Sequence, residues 1–289
     1  MKQGGLRTKG ILKESSVEFP LISIVMVTWN AEKHFRQALE SVVYQEYPNK
    51  EIIVVDGGSS DGTLNIIAEF SASVDYWISE PDKGIYDAMN KGILLSSGAW
   101  IGFKNADDWY TPGTFRHLSE KIKSSPDVDL WYGNSYSVIH EEPLKLSPFF
   151  TNHATLGSNP GIDHRCSFVK AEAHRKTLFD LRYKLAADLD VFWRLRKQGL
   201  VFRHTGTFMA YKRFGGASDG TRILSESFMV NREHAGLVFA LRSVLESRLR
   251  FWIWKTGNVI LRFLLGEKGF HRFKSRKIKT ENQSDSASD

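Results

Sequence analysis

The sequence predicts an α/β fold: a mainly parallel sheet flanked by helices, continued by a C-terminal amphipathic helical extension. Three observations carry that reading. Residues 21–27 and 51–55 are unbroken apolar runs rich in β-branched side chains, the pattern of strands buried on both faces. Each run is followed by apolar residues at helical spacing. The alternation then repeats, and strand-helix-strand repetition packs as a parallel sheet with helices on both faces.

After the first strand, Phe35, Ala38, Leu39, Val42 and Val43 mark a helix, with Asn30 placed before it as a cap. After the second, Leu64, Ile67 and Ala68 mark a helix introduced by Ser60 and Asp61. A short strand at residues 76–78 leads into a helix carrying Ile85, Ala88, Met89, Gly92 and Ile93, and a strand follows at 100–103. Beyond residue 125 the pattern loosens. Residues 128–132 and 136–140 predict two strands, 188–197 a helix and 200–208 a strand. No internal repeat is visible. The expected organisation is a leader over 1–19, a main domain over 20–220, a basic amphipathic helical extension over 221–279 and a disordered acidic tail over 280–289.

With 42% apolar and 12% aromatic residues, the 289-residue chain can bury a sizeable core, which excludes a wholly disordered protein. The single cysteine, Cys166, excludes a disulfide scaffold and fits a reducing compartment, where a small buried side chain is its expected role. Residues 1–19 hold no apolar segment of signal-peptide length, and the nearest approach to a spanning helix, residues 251–265, is interrupted by Lys255 and Arg262. A cytoplasmic location is expected, peripheral on the inner membrane. The net charge of +6 is not spread evenly: residues 1–231 balance at 27 Lys+Arg against 27 Asp+Glu, whereas residues 232–279 hold 12 against 3. The basic excess therefore concerns the extension and its partner, not the main domain.

Ligands of such a sheet bind at the carboxyl ends of its strands. The segments there are Thr28-Trp29-Asn30, Asp56-Gly57-Gly58, Glu80-Pro81-Asp82-Lys83-Gly84 and Asn105-Ala106-Asp107-Asp108. Bringing Asp56, Asp82, Asp107 and Asp108 to one rim concentrates negative charge, which is costly unless a cation compensates it. Carboxylate oxygens suit Mg²⁺ or Mn²⁺, held by one or two protein carboxylates with phosphate and water completing the sphere. Any single aspartate of the set is equally an ordinary turn residue, and Asp61, before Gly62 and Thr63, reads that way. The first loop contains no glycine, which argues against a dinucleotide-binding turn, and no phosphate-binding P-loop occurs. Trp29 offers a flat surface for a base, or for plain packing.

In order and separation, Thr28-Trp29-Asn30, residues 54–63, residues 80–92 and residues 105–108 together resemble the family-2 inverting glycosyltransferases, bacterial enzymes of surface-polysaccharide assembly in particular. The resemblance covers residues 20–220 and implies a nucleotide-sugar-binding domain of the glycosyltransferase A type. It implies that Thr28, Trp29 and Asn30 line the nucleotide, that Asp56 hydrogen-bonds the base, usually uracil, and that Asp82 and Lys83 lie near the ribose and diphosphate. Asp107 would face the ribose and Asp108 the cation. Residues 179–195 resemble the segment carrying the catalytic base, with Asp188 the first candidate and Asp190 the second; Asp188 is also a plain candidate for a helix cap. Relatives often show His-Gln where this chain has His164 and Arg165, so acceptor contacts are expected there in altered form. Lys212 and Arg213 resemble the stretch where cations neutralise diphosphate before a closing loop.

The implied reaction moves a sugar from a nucleotide-sugar donor, a UDP-sugar first, to a hydroxyl of a lipid-linked or oligosaccharide acceptor. A glycoside hydrolase would use two carboxylates across the bond and needs no nucleotide site. A sugar-phosphate nucleotidyltransferase would be expected to carry a Gly-rich basic loop after the first strand, and a non-catalytic nucleotide-sugar-binding module could dispense with Asp107, Asp108 and Asp188. In the extension, Val238, Leu241, Leu245, Leu249, Trp252, Val259 and Phe263 recur at helical spacing within the basic segment. That pattern suits an anionic membrane surface, with packing on the protein itself or a dimer as the competing expectation. Nucleic acid is not expected, because tracking a phosphate backbone calls for no apolar stripe.

Overall fold

The computed structural model describes residues 1–140, 145–147, 162–213, 222–249, 252 and 256. Its first half runs β1 (Lys2–Gly4), β2 (Ile22–Thr28), α1 (Glu32–Val43), β3 (Lys50–Asp56), α2 (Thr63–Glu69), β4 (Tyr76–Ser79), α3 (Ile85–Leu95), β5 (Trp100–Asn105), β6 (Trp109–Tyr110) and α4 (Thr114–Ser124). There follow β7 (Leu130–His140), β8 (Lys145–Ser147), β9 (Ser167–Lys170), α5 (Ala171–Lys176), α6 (Ala187–Lys197), β10 (Phe202–Arg213), α7 (Arg222–Ala235) and a last helix, α8, over 237–249.

Every residue of β2 is buried, and the alternation of its side chains divides the protein into two cores. Ile22, Ile24 and Met26 cluster with Phe35, Leu39 and Val42 of α1 and with Phe115 and Leu118 of α4. Val25 and Val27 cluster on the other face with Met89 and Ile93 of α3 and with Val191, Phe192 and Leu195 of α6. Gly92 is required where α3 crosses β2, because a Cβ there would overlap the Val25 side chain. The strand order is β1-β4-β3-β2-β5-β9-β7-β10-β6, with β8 on β7. β2 runs parallel to β3 and β5, β3 to β4, and β7 to β10, as expected for a mainly parallel sheet.

The departures from expectation have local causes. Residues 130–140 form one strand where two were expected over 128–140, since Gly133 is a close approach and not a turn: a Cβ there would overlap Met209 of β10. Antiparallel β9, only four residues long, was not anticipated between β5 and β7. Asn30 does not cap α1. It adopts φ 45° and its side-chain oxygen accepts from the Ser60 N–H at 2.8 Å, while the Glu32 N–H at the helix start donates to Asp61 at 3.0 Å.

The segment read as a leader packs on the domain: β1 extends the sheet beside β4, and Arg7 pairs with buried Glu51. At the other end, α7 docks on α6 instead of starting a separate extension at 221. Trp193 donates to Asn231 at 3.0 Å and Tyr183 to Glu233 at 2.7 Å. Among the described residues no helix is long and apolar enough to cross a membrane. Val259, Phe263, the 214–220 stretch and the expected acidic tail lie outside the described residues.

Candidate active site

The carboxyl ends of β2, β4 and β5 open into a cleft of about 950 Å³, whose other walls come from residues 162–165, the start of α6, the end of β10, and α7 with α8. Eleven of the fourteen residues singled out from sequence line it: Thr28, Trp29 and Asn30; Asp82; Asp107 and Asp108; His164 and Arg165; Asp188; Lys212 and Arg213. Trp29 is 68% exposed, so its indole is available to a planar ligand. Asp82 accepts from the Gly84 N–H at 2.8 Å and shapes the turn into α3.

Three expected residues lie elsewhere. Asp56 is fully buried, and its carboxylate accepts from the Gly58 and Ser59 N–H groups and from Ser79, which makes it the organiser of the turn after β3 rather than a lining group of the cleft. Lys83 is exposed outside the cleft, with its backbone N–H donating to Asp87 at 3.0 Å. Asp190, the second candidate base, points into the core and is paired with Arg194 at 2.8 Å and His234 at 2.7 Å. That enclosure leaves it no access to an acceptor.

Asp108 sits at the floor, 2% exposed. One oxygen accepts from the Arg213 backbone N–H at 3.1 Å, and the other is 3.6 Å from Arg165 Nε. Burial pushes its carboxyl above the ordinary value; neighbouring Arg165 and Lys104 oppose the shift and Asp107 reinforces it. Arg165 lines the cleft with its guanidinium turned to carboxylate partners. Its guanidinium grips Asp163 through two bonds, 2.7 and 2.9 Å, behind the carboxylate pair. Burial would raise Asp163, but this guanidinium holds it well below the carboxylate range. Lys104 lies under the same floor, donating to the Arg165 carbonyl at 3.0 Å with its ammonium 3.6 Å from the centre of the Tyr110 ring; burial lowers it to about 8. Arg213 is likewise a brace: it donates to the Asp107 carbonyl at 2.9 Å and stacks over Trp109.

In the same cleft, Asp188 stands in the first turn of α6. It is not the helix cap, a position held by Ala186. Its Oδ2 accepts from His164 Nδ1 at 2.9 Å, and its Oδ1 accepts from the Leu189 N–H at 2.8 Å and from the Tyr86 hydroxyl at 3.3 Å. Burial pushes the Tyr86 phenol well up, helped by the Asp188 charge, so it remains a donor. The loop before α6 is fixed from α7: one oxygen of Glu226 accepts from the N–H groups of Lys184, Leu185 and Ala186 at 2.9, 2.7 and 3.1 Å. Sequence reasoning missed Tyr86, Asp163 and Glu226 as participants. Tyr86 lies inside a recognised segment and Asp163 directly before His164 and Arg165, whereas Glu226 gives no local signal, its partners being about forty residues away.

Several buried polar atoms on cleft-lining residues have no hydrogen-bond partner among the described residues: Thr28 Oγ1, Asn105 Oδ1 and His164 Nε2. Such atoms are costly unless a ligand or water completes them. The orphaned Asn105 oxygen lies beside Asp108, and two adjacent carboxylates with an amide oxygen form a hard donor set. These residues fit a divalent ion that takes its remaining ligands from diphosphate and water. Among the described residues no cluster of three or more His, Cys, Asp or Glu forms a complete protein cage.

Fold and cleft together have the form of a glycosyltransferase of the A type, and comparison with known proteins agrees. The profile of glycosyl transferase family 2 matches residues 23–178. A PGL/p-HBAD biosynthesis glycosyltransferase of Mycobacterium bovis is 31% identical over 212 residues, covering 69% of this chain and 80% of the relative. An uncharacterized glycosyltransferase of Rickettsia typhi is 27% identical, covering 64% and 62%. Among solved structures, Staphylococcus aureus TarS 1–349 in complex with UDP-GlcNAc superposes with a TM-score of 0.60 at 17% identity, covering 74% of this chain and 65% of that one. The mannosyltransferase PcManGT from Pyrobaculum calidifontis, in complex with GDP-Man and Mn²⁺, gives 0.54 at 16% identity, covering 81% and 67%. The chain belongs to glycosyl transferase family 2.

Proposed function

We propose that this glycosyltransferase inverts configuration while moving a sugar, hexosyl or N-acetylhexosaminyl, from a nucleotide-sugar donor to a hydroxyl of a lipid-linked or oligosaccharide acceptor in cell-surface polysaccharide assembly. A UDP-sugar is the first donor to test. The observation that carries this reading is that Asp188 lines the same cleft as Asp107 and Asp108. The complexes of TarS with UDP-GlcNAc and of PcManGT with GDP-Man and Mn²⁺ support a donor and an ion of the same kinds here.

In this mechanism Trp29 stacks the base, and Thr28 and Asn30 border it. Asp108 would hold Mn²⁺ or Mg²⁺, with Asp107 toward the ribose and Asn105 beside them. Bound there, the ion supplies neutralisation of the negative charge that develops on the leaving diphosphate. Asp188 takes the proton of the acceptor hydroxyl as its oxygen attacks the anomeric carbon, while the bond from that carbon to the phosphate oxygen breaks on the opposite face. One displacement of this kind inverts the centre.

The test combines donor and base. Purified protein with Mn²⁺ is offered UDP-, GDP- and dTDP-sugars with lipid-linked acceptors, and nucleotide release is followed. Asp188→Asn should bind donor but lose transfer by about 10²–10⁴-fold, whereas Asp190→Asn should act mainly by lowering the melting temperature. Retained transfer in Asp188→Asn would remove Asp188 as the base, and absence of donor binding across the panel would remove the donor assignment.

A further inference from the structure

We propose that His164 is a positioning residue for Asp188, a role that rests on the reading of Asp188 as the base. A carboxylate turns almost freely about its last side-chain bond unless hydrogen bonds hold it. Here both oxygens are held: Oδ2 by His164 at 2.9 Å, Oδ1 by the Leu189 N–H at 2.8 Å and by Tyr86 at 3.3 Å. The Leu189 N–H belongs to the next residue of the same helix and sets only one point. The plane of the carboxylate is set by the donors that arrive from elsewhere, and His164 makes the shorter bond.

The imidazole is suited to this work by its surroundings. Its Nε2 is buried and has no partner among the described residues. A proton on Nε2 would bury an unsatisfied donor and turn the lone pair of Nδ1 against the carboxylate, so the neutral ring carries its proton on Nδ1, where Asp188 accepts it. The backbone under the ring is fixed as well. His164 opens a single helical turn, His164–Cys166, whose preceding Asp163 accepts from the Arg165 N–H at 3.0 Å, and the Ser167 hydroxyl donates to the His164 carbonyl at 3.1 Å. At 9% exposure the ring has little room to swing away. Proton transfer in the displacement depends on this orientation more than on affinity for either substrate.

His164→Leu removes the donor and keeps an apolar side chain; His164→Asn returns an amide N–H close to the place of Nδ1–H. For the leucine variant we expect kcat to fall about 10- to 100-fold with donor KM and melting temperature unchanged, and for the asparagine variant most of the lost rate to return. A merely structural histidine predicts the opposite: lowered melting temperature in the leucine variant and normal kcat for the folded fraction. Unchanged kcat in His164→Leu, alongside an inactive Asp188→Asn, overturns the positioning role and leaves Asp188 as the base. Full transfer in Asp188→Asn overturns both. Should the leucine variant not fold, kcat of the asparagine variant decides, since a rate as low as that of Asp188→Asn would show that an amide donor gives no rescue and would overturn the proposal.

Discussion

Asp108 and Asp188 line the same cleft, but their surroundings give them different work. Asp108 is enclosed beside a second carboxylate, and burial pushes its carboxyl up, so it gains most from a neighbouring cation. Asp188 is more open and already carries three donors, which keeps an oriented carboxylate ready without a metal. Asp108→Asn should therefore abolish the Mn²⁺-dependent part of donor binding, measured by calorimetry with and without the ion, and nearly all transfer; Arg165 keeps its partner Asp163, so the fold should survive. Full activity of the parent protein in excess EDTA would contradict the metal role. A second residue reports on stability. His174 is buried against Phe103 and Phe179, and burial lowers it from 6.5 to about 4. Between those values the unfolded chain binds a proton that the folded chain refuses, so this contribution to stability is complete above pH 6.5 and is lost as pH falls toward 4. The ceiling is on the order of 3 kcal/mol. His174→Gln, which does not titrate, should melt with a shallower dependence on pH over that window, and parallel curves for the two proteins would refute the assignment.

At the scale of elements, α7 links the C-terminal region to the catalytic wall. Glu226 gathers three successive N–H groups at the approach to α6, and His234 pairs with Asp190 on the face of α6 turned to the core. Glu226→Ala leaves those N–H groups without their acceptor; we expect a loss of about 1–3 kcal/mol in thermal or urea unfolding, with kcat lowered because Asp188 stands in the first turn of the helix that this loop delivers. A parental melting temperature in Glu226→Ala would show that water replaces the carboxylate at no cost. The same pair of elements explains what sequence could and could not disclose. The strands that bear the cleft were legible because burial on both faces writes a continuous apolar run, as in residues 21–27, and the motifs at their ends mark the rim. Resemblance ranks Asp188 before Asp190, but the local residue pattern alone does not separate them. Two residues on a helix differ by about 200°, so one had to face the cleft and the other the core, but the choice depends on His164 and His234, 24 and 44 residues away. Asp56 shows a related limit: its position after β3 is visible in sequence, whereas the bonds to its oxygens from Gly58, Ser59 and Ser79 exist only in the folded turn.

For the molecule as a whole, the arrangement of α8 and the distribution of charge bear on where the enzyme works. Ser243, Val244 and Ser247 line the cleft, and Ala240 is buried, while Leu237, Val238, Leu241, Leu245, Leu249 and Trp252 are exposed. One side of the helix thus walls the site and another presents an apolar stripe to solvent. Residues 250–289 add nine Lys+Arg against four Asp+Glu. As a hypothesis, this stripe and this charge seat the cleft on an anionic membrane that carries the acceptor. Basic residues near such a surface contribute about 1 kcal/mol each at most and are screened by salt, whereas insertion of Leu and Trp is not. The two contributions are separable. Truncation after residue 249 should make vesicle binding weaker and less dependent on salt, and Leu241→Glu with Leu245→Glu should remove the part that persists in high salt. Both changes should leave the melting temperature and donor binding in place, because α7 and the buried contacts of α8 remain. Truncation after 221 should instead lower the melting temperature sharply, since Glu226, Asn231, Glu233 and His234 go with it. Co-sedimentation with anionic vesicles decides the matter: no binding by the full chain even at low salt excludes the membrane reading, and a change of oligomeric state in the Leu241→Glu, Leu245→Glu protein would assign the stripe to a second copy of the chain.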